Sequence, residues 1–143
     1  MNSSSNTTSF ATLTGLYPMV NIPSATVANT ATLATTGGTN AGVVLDVLFR
    51  NLATTAVNFE IIICPTGSAG TAGYNRVQIQ VPASAGNNGS TTIASLAALA
   101  PQLFDMDLAG NRLITLESSE SIYVSNVATL TGAIYLTVKQ RNF

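Results

Sequence analysis

From Gly42 onward, the chain repeats short runs in which apolar and polar residues alternate, with glycine or asparagine between runs. Alternation with a period of two places the apolar side chains on one face of an extended strand and does not suit an amphipathic helix. The pattern predicts strands at 43–50, 57–63, 76–81, 112–116, 121–126 and 133–139. Segments 25–35 and 90–94 allow two further short strands, and 95–99 is the only stretch with a helical pattern.

The first two of these runs are expected to form an antiparallel hairpin. Leu45, Val47 and Phe49 share one face of the first strand, and Asp46 and Arg50 occupy the other face. The second strand has its own apolar face: Val57, Phe59, Ile61 and Ile63. Seven or eight short strands joined by Gly/Asn turns predict an all-β chain, folded as a single antiparallel β-sandwich of jelly-roll type over residues 25–143.

The segment before these runs has a different character. Its apolar residues are spaced irregularly among Ser, Thr and Asn, and Pro18 and Pro23 disfavour a helix. We therefore predict an extended N-terminal arm over residues 1–24. Its apolar side chains are too many for a free tail, so we expect them to anchor the arm to a partner protein. The predicted anchors are Phe10, Leu13, Leu16, Tyr17 and Ile22.

The scarcity of charged residues bears on whether this protein acts as a monomer or as part of an assembly. Charged residues make up 8% of the chain, whereas an average globular domain carries about 25%. With a net charge of −1, electrostatic repulsion does little to keep copies apart. The composition favours a component of an oligomer or lattice; the alternative is an extracellular monomer with a Ser/Thr-rich surface.

Residues that usually carry catalysis are missing from the sequence. It contains no histidine and a single cysteine, which excludes Ser-His and Cys-His pairs and structural zinc sites. Cys64 lies in an apolar run and is expected to be a buried, inert thiol. Five scattered basic residues form no stripe for nucleic acid, and no apolar run approaches the length of a membrane span. We expect no enzymatic activity, cofactor or metal, and neither a nucleic-acid nor a membrane partner.

One acidic segment allows a different interpretation. Asp105 and Asp107 are two residues apart and could share a calcium ion, with Gly110 at the place of a turn glycine. However, the terminal acidic position of such a loop falls on Leu116. A plain turn, in which an aspartate accepts hydrogen bonds from nearby backbone amides, is the favoured interpretation.

The order of motifs from Leu48 onward resembles that of small virion proteins of tailed bacteriophages. LFRNLATTAVNFEIIICPTGSAG combines two strands with a PTG loop, AGNRLITLESSESIYV resembles hairpins recurrent in such proteins, and GAIYLTVKQ forms a closing strand. The nearest role in that group is a capsid decoration, or cement, protein. The resemblance implies a homotrimer that binds the major capsid protein at capsomer junctions on the virion surface, often through an N-terminal arm.

Other classes of function remain open at this point. A tail, neck or head-fibre component, with or without a receptor- or carbohydrate-binding role, would share the sandwich and the low charge. A carbohydrate-binding module needs exposed aromatic residues on one sheet face, and only Tyr123 and Tyr135 are available. The N-terminus is polar and lacks the basic region of a signal peptide, so we expect synthesis in a host cytoplasm.

Overall fold

The computed structural model describes residues 14–71, 74 and 76–143, and β-strands dominate this part of the chain. Its strands are β1 (Thr14–Leu16), β2 (Met19–Ile22), β3 (Ala31–Thr36), β4 (Gly42–Asn51), β5 (Val57–Pro65), β6 (Arg76–Val81), β7 (Ala94–Ser95), β8 (Asp105–Met106), β9 (Arg112–Leu116), β10 (Glu120–Asn126) and β11 (Ile134–Asn142). One short helix, α1 (Leu96–Leu99), and a 3-10 turn (Pro101–Leu103) interrupt them. The prediction of an all-β fold is confirmed.

The described strands form two antiparallel sheets. The first has the order β1-β11-β4-β9-β8, with β2 also paired to β11 and β7 to β4. The second has the order β3-β10-β5-β6. Successive strands β2 to β5 alternate between the sheets, so each sheet pairs strands that are distant in sequence. The core between them is continuous.

The centre of the core joins the two predicted hairpin strands, which lie in different sheets. Phe49 of β4 and Phe59 of β5 are fully buried, and their ring centroids are 5.9 Å apart in a tilted arrangement. The predicted pair therefore packs face to face across the sandwich instead of side by side in one sheet. Large aromatic side chains supply much of the apolar area that a core of this size can bury.

A β-bulge changes the predicted face of β4. Lys139 pairs with Asp46 and Gln140 pairs with Val44, so Leu45 is an extra residue without a direct partner. A bulge reverses the alternation of side chains beyond it. Val44 is consequently buried, whereas Leu45 is only half-buried on the outer face. The inward prediction was right for Val47 and Phe49 and wrong for Leu45.

A small second cluster covers the outer face of the second sheet. Ile62, Cys64 and Tyr123 point away from the main core and are buried with Ala69, which belongs to the loop after β5. The backbone N–H of Gly67 donates to the Tyr123 hydroxyl at 2.8 Å and fixes this loop over the sheet. The predicted burial of Cys64 is confirmed, and desolvation raises the pKa of its thiol.

The part of the predicted arm that the structure describes is paired within the sandwich. β1 runs antiparallel to the end of β11, and β2 to its beginning, with Ile22 opposite Ile134. The segment 25–30 forms turns, so the strand predicted at 25–35 is shorter and begins at Ala31. The strand expected at 90–94 is reduced to Ala94–Ser95, and the predicted helical turn is present as α1.

Candidate functional site: an uncharged sandwich edge

One lateral edge of the sandwich carries no charged residue. It is formed by β1 and β2 from the first sheet and β3 from the second, and we call residues 14–36 the uncharged edge. The sequence has five basic and six acidic residues, all of which lie between Asp46 and Arg141. Natural edge strands commonly carry charged side chains, since these discourage pairing with other chains. Along this edge, only Pro18, Pro23 and the short length of the strands oppose such pairing.

Large apolar side chains are exposed along the same edge. Tyr17 is 69% exposed, Met19 74% and Val27 65%, and Leu33 is also exposed. Met19 and Ile22 lie on opposite faces of β2, because Ile22 is buried in the core. Isolated exposed apolar residues are ordinary, but several on one strand edge are typical of an interaction surface.

A groove of about 370 Å³ crosses the edge between the two sheets. Pro18 and Val20 line it from the first sheet, and Leu33 lines it from the second. Gln140 closes its inner side: its Nε2 donates to the carbonyl of Thr36 at 2.7 Å, and its Oε1 accepts from the Thr35 hydroxyl. Because Gln140 is almost fully buried and bridges both sheets, the walls of the groove are held at a fixed spacing.

Asn126, at the end of β10, holds the loop that joins β2 to β3. Its Nδ2 donates to the carbonyls of Thr26 at 3.1 Å and Val27 at 2.8 Å. The backbone carbonyl of Asn126 accepts a hydrogen bond from the backbone N–H of Asn29. Its Oδ1 is buried without a hydrogen-bond partner among the described residues. The exposed Val27 is therefore presented by an anchored loop, which lowers the entropy lost when a partner binds.

The opposite margin of the sandwich has a different surface. β6 ends the second sheet there, and β8 and β9 end the first; we call these strands and the β8–β9 turn the charged margin. Arg76 of β6 pairs with Glu60 of β5 at 3.2 Å. Gln78 and Gln80 of β6 are exposed as well. These polar side chains give the margin the protection that the uncharged edge lacks.

The β8–β9 turn satisfies Asp107 locally. Its carboxylate accepts hydrogen bonds from the backbone N–H of Ala109 at 2.9 Å and of Asn111 at 2.8 Å, and from Asn111 Nδ2 at 3.1 Å. The Asn111 side chain is the largest of the causes that lower the pKa of Asp107. The predicted aspartate turn is thus present. Within the described residues, no group of three or more His, Cys, Asp or Glu side chains is arranged to hold a metal ion.

A larger groove of about 710 Å³ lies next to this turn, on the outer face of the first sheet. Val43, Leu45 and Leu113 supply apolar lining, and Arg112 and Arg141 supply two positive charges. Arg112 Nη1 donates to the carbonyl of Ala97 at 3.1 Å, which fixes its direction. The bulge in β4 is what places Leu45 on this face.

The structure separates the predicted anchors into different environments. Phe10 and Leu13 lie outside the described residues, and the backbone of Leu16 pairs with Gln140. Tyr17 is exposed, as an anchor for a partner must be. Ile22 is instead 1% exposed within its own chain's core, so its side chain has no surface to offer a partner.

Sequence reasoning overlooked three exposed apolar residues of this edge, Met19, Val27 and Leu33. The signal for them was available, because the first 45 residues contain no Asp, Glu, Lys or Arg. The two tyrosines considered for sugar binding do not form an exposed platform: Tyr123 is buried beneath its loop and Tyr135 is half-buried.

No helix in the described part of the chain is long and apolar enough to cross a membrane. Comparisons with protein-family models, with curated proteins and with solved structures find no match for this chain.

Proposed function

We propose that this chain is a non-catalytic structural protein of a tailed-phage virion, a capsid decoration or cement protein. It binds the major capsid protein on the outer capsid surface as a homo-oligomer, a homotrimer by resemblance, and reinforces the shell. The observation that carries the proposal is the uncharged edge, where exposed apolar side chains flank a groove between two sheet margins. An edge of this kind fits a chain that is covered by neighbours in its working state.

The binding mechanism follows from the rigidity of the edge. Gln140 and Asn126 hold the groove and the adjoining loop in place before a partner arrives. Binding then removes apolar surface from water without ordering this part of the chain. The preceding residues 1–13, with Phe10 and Leu13, extend the contact as the arm. Each contact is repeated in every copy of the oligomer, so moderate individual affinities combine into firm attachment.

The strand order supports the jelly-roll description. The first sheet contains the four neighbouring strands β2-β11-β4-β9, which face the four strands β3-β10-β5-β6 of the second sheet, and the chain crosses repeatedly between the two sheets. Jelly rolls are frequent in viral capsid proteins and also in lectins, so this support is an analogy of fold. The burial of Tyr123 disfavours the sugar-binding alternative.

The test is co-sedimentation with capsids of the phage that encodes the chain, stripped of decoration. A double variant, Tyr17→Ser with Met19→Ser, is expected to weaken capsid binding by about tenfold or more, since two large side chains lose their burial. Both side chains are exposed, so the fold is retained. Ile93→Ser, at an exposed apolar residue outside the edge, is the matched control and is expected to bind as the parent chain does.

Deletion of residues 1–13 tests the arm separately, because it leaves β1 and β2 in place. We expect occupancy of the capsid to fall while the melting temperature is unchanged. Full occupancy with both the deletion and the double variant would show that neither the arm nor the uncharged edge makes the contact. A parent chain that does not bind any capsid of its phage would remove the decoration role altogether.

A further inference from the structure

The β8–β9 turn carries apolar side chains that no described residue of its own chain covers. Leu108 at its tip is fully exposed, and Met106 at its base is 66% exposed. They alternate with Asp105 and Asp107 in the sequence Asp-Met-Asp-Leu. The Asp107 carboxylate accepts hydrogen bonds from its own turn, whereas the Asp105 side chain forms no hydrogen bond or ion pair within the described residues. The turn therefore presents apolar groups beside a negative charge.

The neighbouring groove has the complementary chemistry. It offers a partly exposed apolar floor of Val43, Leu45 and Leu113, with Arg141 and Arg112 along its sides. Arg141 lies on the outer face of β11, and no acidic side chain in the described part of the chain pairs with it. About 710 Å³ of space is ample for a leucine and a methionine side chain.

We propose that the β8–β9 turn of one copy occupies this groove in a second copy of the chain. Leu108 and Met106 then pack on Val43, Leu45 and Leu113, and Asp105 approaches Arg141. Two complementary features on the same surface support this occupant. The turn carries apolar side chains with a carboxylate, and the groove carries an apolar floor with guanidinium groups. The inference rests on the homo-oligomer of the proposed function and names the surface through which its copies meet.

The position of the turn beside its own groove limits the possible symmetries. Asp107, Gly110 and Asn111 of the turn form one end of the groove, so both halves of the contact belong to one patch. A two-fold axis would pair this patch with itself and give two equal contacts. A head-to-tail arrangement that closes on itself would give a ring, including the trimer that the resemblance implies.

The test is sedimentation equilibrium of the full chain without capsids, over a range of protein and salt concentrations. Leu108→Ser and Arg141→Asp are each expected to weaken self-association by about tenfold or more. Asp105→Arg should weaken it too. Combining Asp105→Arg with Arg141→Asp exchanges the two charges and is expected to restore most of the loss, which a merely structural effect would not do.

Arg50→Asp is the control for the change of charge, because Arg50 is exposed elsewhere and bonds to Asn87. Ile93→Ser is the control for the apolar change. Melting curves check that all variants remain folded.

Three outcomes overturn the inference: a parent chain that is monomeric at every concentration, an oligomer unaffected by Leu108→Ser and Arg141→Asp, or a charge exchange without recovery. Because no capsid is present, self-association through this turn stands even where capsid binding through the uncharged edge fails.

Discussion

The two margins of this sandwich are built from the same kind of short strand and differ in chemistry. Along the uncharged edge, Tyr17, Met19 and Leu33 are exposed without a charged residue among them. Along the charged margin, Arg76 pairs with Glu60, and glutamines face the solvent. An edge strand can pair with a strand of another chain unless charged side chains, prolines or a short length prevent that pairing. The difference indicates that β6 of the charged margin is protected against pairing with another chain, whereas the uncharged edge lacks this protection.

The margins also differ in how their loops are fixed. The loop behind the uncharged edge is held by a buried amide, Asn126, from a strand 100 residues away in sequence. The turn of the charged margin is held by exposed hydrogen bonds within five residues, from Asp107 to Asn111. Buried hydrogen bonds cost more to break than exposed ones, because the separated donor and acceptor cannot form hydrogen bonds with water instead. Substitutions at the two margins test this contrast between buried and exposed hydrogen bonds.

Ile22→Ala is expected to have the largest effect. Ile22 is buried under the uncharged edge, and its truncation leaves a cavity that lowers the free energy of unfolding by about 2–5 kcal/mol. Met19→Ala on the exposed face of the same strand should change it by about 0.5 kcal/mol or less. Urea denaturation measures both. Equal effects would mean that β2 is not part of the core.

Gly37→Ala should follow in size. Gly37 comes directly after β3, and a β-carbon there would collide with the backbone carbonyl of Glu117. Displacing a backbone segment of the fold costs up to about 3 kcal/mol. Gly70→Ala is the control, since open space surrounds that position. Thermal denaturation of the two variants side by side should show a lowered melting temperature for Gly37→Ala alone.

Asn126→Ala is expected to lower the free energy of unfolding by about 2 kcal/mol, because the hydrogen bonds from its buried side-chain amide to the Thr26 and Val27 carbonyls are lost. The same substitution at exposed Asn111 should cost about 0.5 kcal/mol or less. Hydrogen exchange at Asn29, whose N–H bonds to the Asn126 carbonyl, should accelerate in the first variant only. Similar losses in both variants would contradict the contrast between buried and exposed loops.

The smallest expected effect is a shift in titration at the charged margin. The Asn111 side chain is the main group that lowers the pKa of Asp107, so Asn111→Ala should raise that pKa towards its ordinary value. Since the folded-state pKa is depressed, the turn's contribution to stability is present above the ordinary carboxylate range and is lost as the pH falls through the lowered pKa. Carbon-13 NMR of the Asp107 carboxyl in the parent chain and in Asn111→Ala measures this pKa.

Local patterns in the sequence were sufficient to predict most of the strands and one turn. Strands at 76–81 and 121–126 follow from alternation, and the Asp107 turn follows from short-range hydrogen bonding. The same reasoning failed at Leu45, because a bulge depends on register against β11. It also assigned Ile22 to a partner contact, since nothing local to residues 19–22 reveals their pairing with residues 134–137.

The sequence by itself determined an all-β chain with sparse charge, because strand alternation and residue counts are local or additive properties. It also determined that the first 45 residues carry no charge. Only the tertiary structure decided that residues 14–36 of this stretch form one margin of the sandwich, and that Leu108 stands beside a groove with two arginines. Such placements depend on contacts between strands about a hundred residues apart, such as the hydrogen bond from Gln140 Nε2 to the Thr36 carbonyl, which no local pattern specifies.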